Sequence, residues 1–193
     1  AQLRSLEVSS MCFEDGGWKA VSTLHSLRDL QIQFFDELPV SGFRSLCRLP
    51  LRQLNILDAP IGDDHLSALA GLSSLESLRL SGEMIYASGE SLPLLPALRV
   101  VQPGPKTTDK GLTRISRLPS LAYLDISSAP LLSDAGMSQL ATVLSLQRID
   151  APNCPQIAKV PDGNSLLFVN LSGTAFARDN LDIGMKRCMT IYP

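Results

Sequence analysis

Very few side chains in this 193-residue chain suit bond-making chemistry. Its two histidines, His25 and His65, stand forty residues apart, both in segments with helical spacing. A Ser or Cys nucleophile needs a base held beside it, and two distant histidines make no such cluster. No glycine-rich phosphate loop is present. Asp63-Asp64-His65 offers donors that suit a metal ion, but the plainer reading is a helix-capping aspartate pair followed by a surface histidine. Cys12, Cys47, Cys154 and Cys188 are scattered with no CxxC or CxxH pair, so no structural zinc site is expected. They read as free thiols of an intracellular, cytoplasmic protein. Asn170-Leu171-Ser172 matches a glycosylation sequon by chance, because Leu171 should face a core. The expectation is a protein that is not an enzyme and takes no metal, cofactor or small-molecule substrate.

Composition narrows the class. The chain is 45% hydrophobic and 19% charged, with net charge −2, and 34 of its residues are leucine. That apolar content rules out disorder, and near-neutral charge argues against nucleic acid. No apolar run approaches the roughly 18 residues of a membrane span, so no insertion is expected. Residues 1–96 carry 7 Lys+Arg against 12 Asp+Glu, whereas 97–193 carry 10 against 7. This mild polarity could steer a partner or be chance. The chain opens on Ala1 in mid-pattern, which reads as a piece of a longer protein.

Those leucines are periodic. The pattern L-x-x-L-x-L starts at Leu3, Leu27, Leu51, Leu75, Leu98, Leu121, Leu146 and Leu166, with a truncated ninth start at Cys188. The offsets are 24, 24, 24, 23, 23, 25, 20 and 22. Positions 4 and 6 alternate with polar residues, which is the period of a strand. The second half of each unit changes to helical spacing, as in Ile61, Leu66, Leu69 and Leu72, or Leu132, Met137 and Leu140. Asp63 or Asp64, Asp109, Asp134 and Asp179 stand where a helix N-cap belongs, and Pro50 and Pro119 should stop helices before the next strand. Each unit is therefore strand, turn, helix, and it buries its leucines only by stacking on its neighbours. Strands repeating in one direction make a parallel sheet with right-handed crossovers.

This pattern resembles the leucine-rich-repeat proteins. It is similar to the cysteine-containing and related classes found in F-box leucine-rich proteins and in many protozoan and bacterial repeat proteins. The resemblance implies an α/β leucine-rich-repeat solenoid, a horseshoe with a parallel concave β-sheet and short helices on the convex side. It implies one domain over 1–193 that binds protein partners on the concave surface. The chain departs from that family at the ninth position, where Asn or Cys is usual: it holds Met11, Phe35, Ala59, Glu83, Lys106, Ala129, Cys154 and Thr174, of which only Cys154 fits. Two units are irregular. Pro103-Gly104-Pro105 should shorten the strand of the fifth. The seventh, from Asn153 through Pro161-Asp162-Gly163, should cross back as an extended loop.

Residues flanking the inward leucines stand on the open face of the sheet as ladders, one per strand. Position 2 reads Arg4, Arg28, Arg52, Glu76, Arg99, Ala122, Gln147 and Leu167. Its arginines repel unless anions lie between them, so they either recognise an acidic or phosphorylated segment or pair with Asp29, Glu7 and Glu76. Position 3 brings Val100, Tyr123, Arg148 and Phe168 together, with Asp125 and Asp150 of position 5 beside them. Aromatics with an arginine and a carboxylate rim resemble a protein-binding hot spot. The candidate partner-binding residues are thus Val100, Tyr123, Asp125, Arg148, Asp150 and Phe168, with Arg28, Arg52 and Arg99 as a second edge. The leading function is a non-enzymatic scaffold for protein–protein interaction. The alternative is the substrate-recognition module of an F-box or RING-type ubiquitin ligase. A secreted ligand receptor, with bridged cysteines, comes third.

Overall fold

A computed structural model describes residues 2–9, 15–34, 37–161 and 166–176. Met11, Cys12, Phe35, Asp162, Gly163, Asp179 and the ninth start at Cys188 lie outside the described residues. The chain forms an α/β fold on one eight-stranded parallel sheet, its strands side by side in chain order. They are β1 (Ser5–Ser9), β2 (Asp29–Gln33), β3 (Gln53–Leu57) and β4 (Ser77–Ser81), followed by β5 (Val100–Gln102), β6 (Tyr123–Asp125), β7 (Arg148–Asp150) and β8 (Phe168–Asn170). Among the described residues, the α-helices are α1 (Asp15–Val21), α2 (Val40–Leu46), α3 (Asp63–Ala68), α4 (Asp109–Ile115) and α5 (Asp134–Ser138), with 3-10 turns continuing α3 over Leu69–Gly71 and α5 over Gln139–Thr142.

The register follows the leucine pattern. Ser5, Asp29, Gln53, Ser77, Val100, Tyr123, Arg148 and Phe168 pair in one unbroken row. Leu27, Leu51, Leu75, Leu98, Leu121 and Leu146, which open six of the units, are all fully buried. The two starts at the sheet edges differ: Leu3 before β1 is exposed and Leu166 before β8 is partly buried, because each edge strand has a described neighbour on one side only. Each joint between units is closed by the backbone. The position-2 carbonyl accepts two N–H groups from the next unit, as Arg28 O does from Arg52 (2.7 Å) and Gln53 (3.0 Å). The same pair recurs at every joint from Arg4 to Gln147.

Position 8 turns the chain out of the strand. Phe34, Asp58, Gly82, Ser128, Asn153 and Gly173 all have positive φ there. Glycine adopts this conformation freely, and Asp, Asn and Ser tolerate it better than a bulky residue. The amides of Phe34, Asp58, Ser128 and Asn153 then bond the position-7 carbonyls of the following unit, at 2.8–2.9 Å.

Several expectations need correction. The helix caps fall one residue earlier than the aspartates, on Gly62, Thr108 and Ser133. Asp63, Asp109 and Asp134 are instead the first helical residues, and their carboxylates reach forward into the next unit. Asp63 accepts from the Ser88 N–H (3.0 Å), and Asp134 from the Ala158 and Lys159 N–H groups (2.7 and 2.9 Å). The fourth unit has no helix between β4 and β5. Pro93 and Pro96 lack the donors a helix needs, and Gly89 sits at φ 85°. Ile85, Ala87, Leu92 and Leu95 fill the core there from irregular chain and turns. Helices α2 and α4 end at Leu46 and Ile115, well ahead of Pro50 and Pro119, so those prolines do not terminate them. The described part of the seventh unit has no helix, as expected. The three-residue β5 is short, but β6, β7 and β8 are equally short, so the prolines after β5 do not set it apart.

The ninth position is clearer in space than in sequence. Ala59, Ala129, Cys154 and Thr174 are fully buried, whereas Glu83 and Lys106 are exposed. The Cys154 thiol donates to the carbonyl of Ile126 in the preceding unit at 3.0 Å. In those four units position 9 takes a small residue under the turn, and a thiol is one of several that fit.

Candidate protein-binding face

Strands β6, β7 and β8 hold Tyr123, Arg148 and Phe168 in register on the open face of the sheet. The Arg148 guanidinium lies between the two rings, with its carbon 4.3 Å from the Phe168 centroid and 5.2 Å from that of Tyr123. A planar cation stacks on such faces and keeps its edges free for hydrogen bonds. Asp150 takes those edges. Its Oδ2 accepts from Arg148 Nε (3.0 Å) and from the Tyr123 hydroxyl (2.7 Å), and Arg148 Nη2 stands 2.9 Å away. Each of the three side chains therefore fixes the rotamers of the other two.

Asp150 differs from its expected place. It is only 7% exposed and lies beneath the stack as its anchor, not at its rim. Three donors converge on one oxygen, while Oδ1 is buried without a hydrogen-bond partner among the described residues. The Arg148 side chain remains 49% exposed. Val100 and Phe168 are half-buried, and Leu167 next to Phe168 is exposed. Asp125 turns to its own loop, accepting from the Ser127 N–H (3.0 Å) and the Ser127 hydroxyl.

Charge follows contact. Burial, then the hydrogen bond to Asp150, then the charges of Asp125 and Asp150 push the Tyr123 phenol up to about 12, opposed by Arg148. The hydrogen bond to Asp150 raises the Arg148 guanidinium above its already high value. Both Tyr123 and Arg148 therefore hold their protons at neutral pH.

Sequence reasoning missed Arg79, whose guanidinium stands 6.0 Å from the Tyr123 ring. It comes from position 5 of β4, two strands away, and only the length of an arginine signals that reach.

The arginine edge separates into engaged and free members. Arg28 Nη1 folds back on the carbonyls of Leu27 (2.9 Å) and His25 (3.3 Å). Arg52 meets Glu76 at 3.6 Å, both exposed, which is the local pairing expected of a solvated edge. Arg4, Arg28 and Arg52 share a cleft of about 540 Å³ with Asp29 and Glu76. The Arg99 side chain is without a partner among the described residues, and Glu76 stands between it and Arg52 in the row.

The remaining chemical candidates are occupied by structure. His65 is buried, not at the surface: Nδ1 accepts from the Gly62 N–H (3.2 Å), Nε2 bonds the Leu38 carbonyl (2.7 Å), and the ring packs edge-on against Phe43. Both nitrogens are committed to backbone, and no group of three metal-ligating side chains occurs among the described residues. Cys47 and Cys154 are buried free thiols. Burial pushes Cys47 up to about 12 and raises Cys154, which suppresses the reactive thiolate in both. Asn170 Oδ1 accepts from the Ser172 N–H (3.2 Å) and hydroxyl (3.1 Å), so the sequon closes on itself. No described helix is long and apolar enough to cross a membrane.

The chain matches no family model and no curated protein. Among solved structures, it is similar to the crystal structure of the Rad7 and Elc1 complex in yeast, at 13% identity and a TM-score of 0.38. That match covers 97% of this chain and 73% of the other.

Proposed function

We propose that this chain is a non-catalytic protein-recognition module: a leucine-rich-repeat solenoid, intracellular, that grips a protein partner on the concave face of its sheet. The observation that supports this most directly is Arg148, stacked between Tyr123 and Phe168, anchored by Asp150 and still half open to solvent. A rigid aromatic–arginine stack pays little ordering entropy on binding, which is the character of an interface anchor. Exposed Leu167 extends the apolar surface beside it. The paired carboxylate, the protonated phenol and the buried thiols offer no nucleophile with a base.

The test is affinity purification with mass spectrometry on the protein, beside Tyr123→Ala/Phe168→Ala and Arg52→Ala/Arg99→Ala variants verified as folded by circular dichroism. The stack variant should lose a partner that the edge variant retains, and its affinity for that partner should drop about thirtyfold or more. Retention of every partner by the stack variant would refute this face and return recognition to the arginine edge. Adaptor and cullin subunits among the partners would favour the substrate-recognition arm of a ubiquitin ligase.

A further inference from the structure

A second cleft, of about 510 Å³, opens between α1 and α2 and the turns that follow them, apart from the stack on the sheet. Its floor is set by close helix packing. Gly42 of α2 sits so near Trp18 of α1 that a Cβ there would approach the indole Cδ1 to 2.5 Å. Helices this tightly joined hold the side chains at their ends in a fixed relation. Those side chains are cationic or hydroxylic: Lys19 from α1, His25 from the next turn, and Ser41, Ser45 and Arg48 from α2 and its end. Among the described residues, no aspartate or glutamate lines the cleft. Lys19 and Arg48 form no ion pair among the described residues, unlike Arg52 and Arg148, which each face a carboxylate.

We propose that this cleft is an anion site that takes the phosphoryl group of a phosphate monoester. Arg48 supplies a planar fork of donors, Lys19 a compact charge and His25 a third nitrogen, which suits a doubly charged tetrahedral group better than a carboxylate. The Ser41 hydroxyl adds a neutral donor with no acceptor of its own in the described structure. The Ser22 hydroxyl donates to the Lys19 carbonyl at 2.7 Å and is already spent, while Ser45 makes only a long 3.4 Å bond to the Ser41 carbonyl and is free to turn. The site stands independently of the sheet-face proposal, since the two share no residue.

The experiment is amide NMR titration of the protein with inorganic phosphate, phosphoserine and acetate at constant ionic strength. Phosphate and phosphoserine should give saturable shifts confined to the amides around 19–25 and 41–48, and acetate should give none that saturate. A Lys19→Ala/Arg48→Ala variant should bind about tenfold more weakly or worse, and Ser41→Ala should fall between. Lys19 and Arg48 are exposed, so distant cross-peaks of the double variant should stay in place and report an intact fold. Tighter binding of phosphoserine than of inorganic phosphate would assign the site to a phosphorylated protein side chain, and equal binding to the phosphoryl group alone. Equal shifts with acetate, or an unchanged titration in the double variant, would overturn the proposal.

Discussion

The carboxylate of Asp109 holds the residue that caps the following helix: its Oδ1 accepts the Ser133 N–H at 2.9 Å and its Oδ2 the Ser133 hydroxyl at 2.6 Å. Ser133 Oγ in turn accepts from the Ala135 N–H, so one aspartate in α4 organises the first turn of α5. Asp109→Ala strands a half-buried donor and loosens the cap, and should cost about 1–3 kcal/mol. Urea denaturation of this variant beside Lys110→Ala, an exposed neighbour expected to change stability by about 0.5 kcal/mol or less, measures it. Equal midpoints would mean that the link contributes nothing.

Position 8 makes opposite predictions at two sites. Phe34 is exposed and holds φ at 58°, a conformation that costs a bulky residue about 1–2 kcal/mol. Phe34→Gly removes that cost and adds glycine's smaller entropic penalty, so the variant should be about 0.5–1 kcal/mol more stable. Gly82 is at φ 104°, and an added Cβ would collide with the Asp58 carboxylate. Gly82→Ala should lower the thermal midpoint while Phe34→Gly raises it.

The Tyr123 phenol links stability to alkaline pH. Its folded value is about 12 against an ordinary 10.0. Below pH 10 the phenol is protonated in both states, and its contribution is fully present. As pH rises from 10 towards 12 the unfolded chain gives up the proton while the folded chain keeps it, so that contribution is lost. Tyr123→Phe should therefore lose stability less steeply than the parent over that window, followed by urea midpoints against pH. Cys47, also held near 12, adds the same slope to both proteins.

Leu124 tests the register itself. It is fully buried in β6, between Val101 and Ile149 of the adjoining strands. Leu124→Ala should cost about 2–5 kcal/mol by chemical denaturation. Gln147→Ala, exposed at position 2, should change it by about 0.5 kcal/mol or less.

How far these features were legible in the sequence depends on how local their causes are. The pairing of Ser77, Val100, Tyr123 and Arg148 follows from leucine spacing, because a slip by one residue would turn Leu78 and Leu124 out of the core. The helix caps were off by one because Thr108-Asp109 and Ser133-Asp134 each offer two cap-competent residues in a row. Only the backbone shows which of them has left the helix. The missing helix of the fourth unit was written in Pro93 and Pro96, but Leu92, Leu95 and Leu98 keep a helix-like spacing across them. The burial of Asp150 was not legible at all. It depends on Arg148 and Tyr123 leaning over it together, a choice of rotamers that composition does not encode. His65 was misplaced for the same reason, since Leu38 and Phe43 meet it from the previous unit.

The paired amide bonds onto the position-2 carbonyl have a historical consequence. They involve only main chain, and they are the same whether the side chain above is Arg28, Glu76 or Ala122. A unit duplicated or deleted whole would meet its new neighbours through an identical seam. Along the sheet, length is then a quantity that recombination can adjust without redesigning the main-chain seam, whereas links such as Asp109 to Ser133 must be rebuilt side chain by side chain.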